Sequence, residues 1–108
     1  MTYSRDNVMA MDGDQLRVAI ANAIYPESPN VAEALAAIKD WPYSIKDAWE
    51  LVDEMRTRPF PAREGFTRDL KHLLSRRVGY LVSYDDMVVW LDPIDICRAW
   101  LLAQEVKG

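Results

Sequence analysis

Two side chains in this chain of 108 residues could act as nucleophile or acid–base near neutral pH, Cys97 and His72, and each is the single residue of its type. A reactive thiol needs a histidine or a cation beside it to lower its pKa. Cys97 falls instead on the apolar side of a predicted helix, where a lone thiol packs as a small hydrophobe. His72 follows Leu70 by two positions in a stretch whose apolar residues are Phe66, Leu70, Leu73 and Leu74. It should therefore face solvent among basic residues, without an acid–base partner. One cysteine makes no internal disulfide, and one cysteine with one histidine makes no zinc cluster. Asp85, Asp86, Asp92 and Asp95 could offer oxygen ligands, but the first pair reads as a turn and the second as a helix cap, and their spacing is not that of a calcium loop. The sequence carries no Gly-rich phosphate loop, nucleophile elbow or His-Glu-x-x-His motif. These residues predict no catalytic group, no metal site, no cofactor and no enzyme.

Charge is the next signal. Residues 56 to 77 hold Arg56, Arg58, Arg63, Arg68, Lys71, Arg76 and Arg77 against Glu64 and Asp69, a net +5, which leaves −9 for the rest of a chain whose total is −4. A basic block in an acidic protein attracts anions to one surface while the remainder repels them. It reads in two ways: a solvated face pairing with an acidic helix, or an anion site in which Arg76 and Arg77 supply forked donors and Tyr80 a stacking ring. A net negative charge argues against nucleic acid as a partner. Four tryptophans are present. Trp49, Trp90 and Trp100 fall on apolar periodic positions and predict core. Trp41 lies with Tyr43 in a short connector, where the pair is either a contact hot spot or, for the tryptophan, packed on the next helix.

The elements that must position these groups follow from caps and periods. Residues 1 to 11 read as a loose arm. Asp12 with Gln15 starts a helix over residues 13 to 24, stopped by Pro26. Asn30 with Glu33 caps a second helix ending near Asp40. Ser44 with Asp47 caps a third, the clearest amphipathic one, with Ile45, Trp49, Val52 and Met55 on its apolar face. Pro59 and Pro61 break it, and Phe66, Leu70, Leu73 and Leu74 mark a fourth helix ending before Gly79, although the strand count over 57 to 79 stays open. From Tyr80 the period becomes two. Residues 80–84 and 87–91 around Asp85-Asp86 read as a β-hairpin with both faces apolar, to be covered by helices on both sides. Asp92-Pro93-Ile94-Asp95 starts the last helix, carrying Ile96, Cys97, Trp100 and Leu101. The fold class expected is α+β, one small domain over residues 1 to 108, with N-terminal helices, a hairpin or small sheet and a C-terminal helix.

Two of these stretches resemble a known family. Tyr43-Ser44-Ile45-Lys46-Asp47-Ala48-Trp49-Glu50-Leu51-Val52-Asp53-Glu54-Met55 is similar to a helix of the small bacteriophage and prophage proteins called phage ABA sandwich-domain proteins. Asp92-Pro93-Ile94-Asp95-Ile96-Cys97-Arg98-Ala99-Trp100-Leu101-Leu102-Ala103 resembles their terminal helix, in which Pro followed by Ile-Cys-Arg-Ala is typical. The likeness spans roughly residues 41 to 104. Trp100 departs from it, since a small residue is usual there, as does the basic, proline-bracketed stretch 57 to 77. The resemblance implies a three-layer α/β/α arrangement and a phage or prophage origin, and brings no catalytic residues.

The function expected is a non-enzymatic binding protein, a host-takeover or counter-defence inhibitor that occupies a host protein surface. The alternative is sequestration of a small anionic ligand such as a signalling nucleotide. Candidate binding residues are Trp41, Tyr43, Arg56, Arg58, Arg76, Arg77 and Tyr80. The apolar stretches are too short to cross a bilayer, and the N-terminus lacks the apolar centre of a signal peptide, so a cytoplasmic chain is expected. A homodimer is compatible with so short and aromatic a chain.

Overall fold

In the computed structural model, which describes residues 4–104, six α-helices follow one another: α1 Arg5–Ala10, α2 Gly13–Ile24, α3 Pro29–Ile38, α4 Ile45–Met55, α5 Phe60–Val78 and α6 Pro93–Ala103. A 3-10 turn, Met87–Trp90, interrupts the connection between the last two. Caps explain most boundaries. Asp12 accepts from the Gln15 amide while the Gln15 side chain accepts from the Asp12 amide, closing a capping box on α2. Ser44 caps α4 at the Asp47 amide, and Asp92 caps α6 at the Ile94 amide with Pro93 in the first turn. Gly79 ends α5 at φ +85°, the left-handed position that favours glycine.

α6 is the centre of the packing. Eight of its eleven residues are buried, Asp95, Ile96, Cys97, Ala99, Trp100, Leu101, Leu102 and Ala103, because the helix is apolar on nearly every side. α1, α2, α4 and α5 all pack against it, and α3 lies outside, on α2. Val8, Leu16, Ile20, Leu51, Leu74 and Trp41 complete the core around it.

The α+β expectation is overturned. Among the described residues every regular element is helical, so neither the hairpin nor the layered α/β/α arrangement is present. Residues 80–91 form a loop and a 3-10 turn whose apolar side chains point outward: Leu81 is 78% exposed, Val88 69% and Val89 70%. Two strands alone are marginal in water, and no third strand is at hand to complete a sheet. Val82 and Met87 are buried and Leu91 packs partly against the core, and the Val82 amide is held by the Ser75 hydroxyl of α5 at 2.9 Å.

Three smaller expectations are also corrected. The stretch read as a loose arm contains α1, whose Val8 is fully buried; its first three residues lie outside the described ones. α3 begins at Pro29 rather than at an Asn30 cap, with no side-chain cap. α4 turns Ala48, Leu51 and Met55 to the core, leaving Ile45 and Trp49 at its exposed edge.

Candidate functional surface

The residues singled out from the sequence divide among five places. Trp41 is 2% exposed, packed in the core, and its indole N–H has no hydrogen-bond partner among the described residues. Tyr43 is exposed and lies over Gly13, so closely that a Cβ there would meet its hydroxyl. Partial burial and the neighbouring Asp14 and Asp12 push the Tyr43 phenol above its usual pKa. Arg56 bonds Asp53 at 2.9 Å and lies over Trp49. Arg58 bonds Glu54 at 2.6 Å and covers Trp100, whose indole N–H donates to the other Glu54 oxygen at 2.8 Å. These two arginines are engaged within the fold.

Arg77 is engaged more deeply. Its Nε and Nη2 donate to the two carboxylate oxygens of Asp95 at 2.7 and 3.0 Å, and Asp92 stands 3.4 Å away. Asp95 is 3% exposed, and the bidentate fork supplies the partner such a buried carboxylate requires. The hydrogen bond to Asp95 raises the Arg77 pKa further. Tyr80 does not join Arg76 and Arg77 in a pocket; it meets Trp90 edge-on, ring centroids 6.0 Å apart.

Local pairing also absorbs the acidic surface expected on α4. Asp40 pairs with Arg17 at 3.2 Å, Glu50 with Lys39 at 2.7 Å, and Asp47 accepts from the Asp40 amide. Bonding to Glu50 raises the Lys39 pKa. Among the described residues, Arg63, Arg68, Lys71 and Arg76 have no carboxylate partner. All four lie on α5, and this helix is the basic face of the molecule.

Beside it lies the surface that the sequence reading missed. Tyr80, Leu81, Tyr84, Val88 and Val89 are all more than half exposed, with Trp90 next to them. Tyr84 leans on α5: it lines a shallow pocket with Phe60, Arg63, Glu64 and Thr67, and Lys71 Nζ sits 5.2 Å from its ring centre. Phe60 is itself 63% exposed. The result is an apolar display from the loop to the start of α5, bordered by Arg63 and Lys71. Large apolar side chains grouped on a surface mark a contact site more often than scattered ones do. The available signal was the apolar character of both hairpin faces in a chain with no further strand to cover them.

Neither chemically reactive residue has a reactive setting. Cys97 is fully buried, and burial with Asp92 nearby pushes its thiol up to about 12. His72 is exposed on the outer face of α5. Among the described residues no group of three or more His, Cys, Asp or Glu could hold a metal, and no helix is long and apolar enough to cross a membrane. Comparison with protein-family models, with curated proteins and with solved structures finds no match to this chain.

Proposed function

We propose that the protein acts without catalysis, by seating the loop 80–91 and the adjoining basic face of α5 on a partner protein and occupying its surface. The exposed cluster of Tyr80, Leu81, Tyr84, Val88 and Val89 beside Phe60 carries this reading. Aromatic and aliphatic anchors supply contact energy, while Arg63, Lys71 and Arg68 favour a partner with an acidic rim. Asp85 and Asp86 in the same exposed loop favour a protein over a lipid surface, because an anionic headgroup layer would repel them. A host-takeover or counter-defence inhibitor would use such a surface. The phage or prophage setting rests on the resemblance of residues 43–55 and 92–103 alone.

The test is a pull-down from bacterial lysate, comparing the wild type with Leu81→Ser/Val88→Ser/Val89→Ser and with a control, Val31→Ser/Ile38→Ser, on exposed positions of α3. Exposed substitutions of this kind change stability by roughly 0.5 kcal/mol or less, so both variants should stay folded. A stoichiometric partner lost only from the loop variant supports the proposal. A partner held equally by all three proteins, or by none, overturns it.

A further inference from the structure

We infer that the seam between α1, α5 and α6 is a binding site for a phosphate group, built on Arg76 and Arg98 and independent of the docking loop. A pocket of 390 Å³ opens there, lined by Met9 of α1, Leu73, Arg76 and Arg77 of α5, and Asp95 and Arg98 of α6. Three guanidinium groups thus line one pocket with Asp95, and Asp92 stands beside Arg77 at 3.4 Å. Asp95 is spent on Arg77, through the 2.7 and 3.0 Å bonds of its fork. Arg76 and Arg98 are left for a ligand, both charged because an arginine stays protonated at any physiological pH.

Among the described residues neither of the two has a carboxylate partner. Arg76 is exposed in the last turn of α5, and no carboxylate among the described residues pairs with it. Arg98 is partly buried; its Nη2 donates to the Met11 carbonyl at 3.2 Å, while its Nε–H is sealed from solvent with no acceptor among the described groups. A buried donor of a charged group left unpaired is costly, more so than the neutral indole N–H of Trp41, and it calls for an acceptor. An oxyanion supplies it once the Arg98 side chain turns its Nε edge into the pocket. Two arginines without a carboxylate partner offer forked donors, which suit the several acceptor oxygens of a phosphate monoester better than the two of a carboxylate. Met9 and Leu73 give the pocket an apolar wall against which the ester's organic part can rest.

α1 ties this site to the rest of the fold. Arg5 pairs with Asp69 of α5 at 2.7 Å, and Met11, just past the end of α1, holds Arg98. A ligand that engages the Arg98 Nε edge must reorient a side chain already bonded to that junction, so Arg98 should report its arrival.

The experiment is a titration followed by the arginine Nε–H resonances of the nitrogen-15-labelled protein, at fixed ionic strength. The probes are inorganic phosphate and adenosine monophosphate, with chloride as the control anion. The expected result is a saturable shift of the Arg98 signal by phosphate and not by chloride. Arg76→Gln should weaken the apparent Kd about tenfold or more, as losing one charge-assisted partner does. Lys46→Gln, at an exposed position of α4 outside the pocket, should leave it unchanged. Tighter binding of the nucleotide than of inorganic phosphate would assign the ligand to a phosphate ester, and equal binding to the phosphate group itself. A shift that never saturates, or one weakened equally by Lys46→Gln, overturns the site. Because the titration uses no partner protein and follows Arg98, which lies on α6 and belongs to neither loop 80–91 nor α5, this failure and a failure of the docking proposal are separate results.

Discussion

Cys97 shows how position decides chemistry for a single residue. The same thiol that could serve as a nucleophile beside a cation is held protonated here, because α6 places it in the core and removes the water that a thiolate needs. A folded-state pKa of about 12, raised from 9.0, means that above pH 9 the unfolded chain releases the proton and the folded one keeps it. The unfolded state then binds fewer protons, so stability must fall as pH rises through that window. The contribution is complete below pH 9, and on the order of 1 kcal/mol should be lost between pH 9 and about pH 10. Cys97→Ala should lower stability near neutral pH through the small cavity it leaves, yet flatten the alkaline decline. Urea unfolding of both proteins at several alkaline pH values checks this, and parallel declines would contradict a titrating core thiol. The placement of Cys97 was legible in the sequence, since apolar neighbours at helical spacing surround it. The use of Arg77 was not. Its partner Asp95 lies 18 positions away and reads locally as a helix-start acid, so only the packing of α5 on α6 brings the pair together.

Helix starts were the most legible elements because each depends on a few adjacent residues. Asp12 with Gln15, Ser44 with Asp47, and Asp92 with Pro93 all cap as their types dictate. Which face a helix buries is a tertiary matter. In α4 the small Ala48, fully buried, faces the core where α6 runs close by, so the larger Ile45 and Trp49 are pushed to the edge. The error at residues 80–91 has the same root. Alternation of apolar residues describes a two-sided segment, but a strand also needs neighbouring edges, and the buried space here is already filled by α6. Gly79 makes the end of α5 testable at this scale. Its φ of +85° is one that L-residues rarely adopt, and a Cβ there would meet no atom within 4 Å, so alanine should incur a backbone cost alone. Gly79→Ala should destabilise by about 1 kcal/mol, and Gly79→Asn by less, because asparagine tolerates the left-handed region better. A lowered urea midpoint with an unchanged slope is the expected reading.

Across the whole molecule, stability should be graded outward from α6. This helix touches α1, α2, α4 and α5, so it cannot leave without opening the core, whereas α3 packs chiefly on α2. Ala32 and Ala36 are the buried residues of α3, and their methyls contribute about 0.8 kcal/mol each by area burial. The start of α3 has no side-chain cap, while its far end is held by the buried Trp41 and by the Lys39–Glu50 and Arg17–Asp40 pairs just beyond it. α3 should therefore open from Pro29 toward Ile38 without global unfolding. Amide hydrogen exchange measures this directly, since each protected amide reports the cheapest opening that exposes it. Amides in the first half of α3 should exchange through local opening, at least ~30-fold faster relative to their intrinsic rates than those of α6, which corresponds to about 2 kcal/mol. α6 amides should exchange only by global unfolding and track the stability found in urea. Equal protection in the two helices would mean that α3 is bound into the core by contacts stronger than two alanines, the partly buried Leu35 and two ion pairs can supply. The docking loop adds a consequence: it packs on α5, a neighbour of α6, and not on α3. A partner seated on that loop should slow exchange in α5 while leaving the opening of α3 unchanged, which separates a local docking event from a general tightening of the fold.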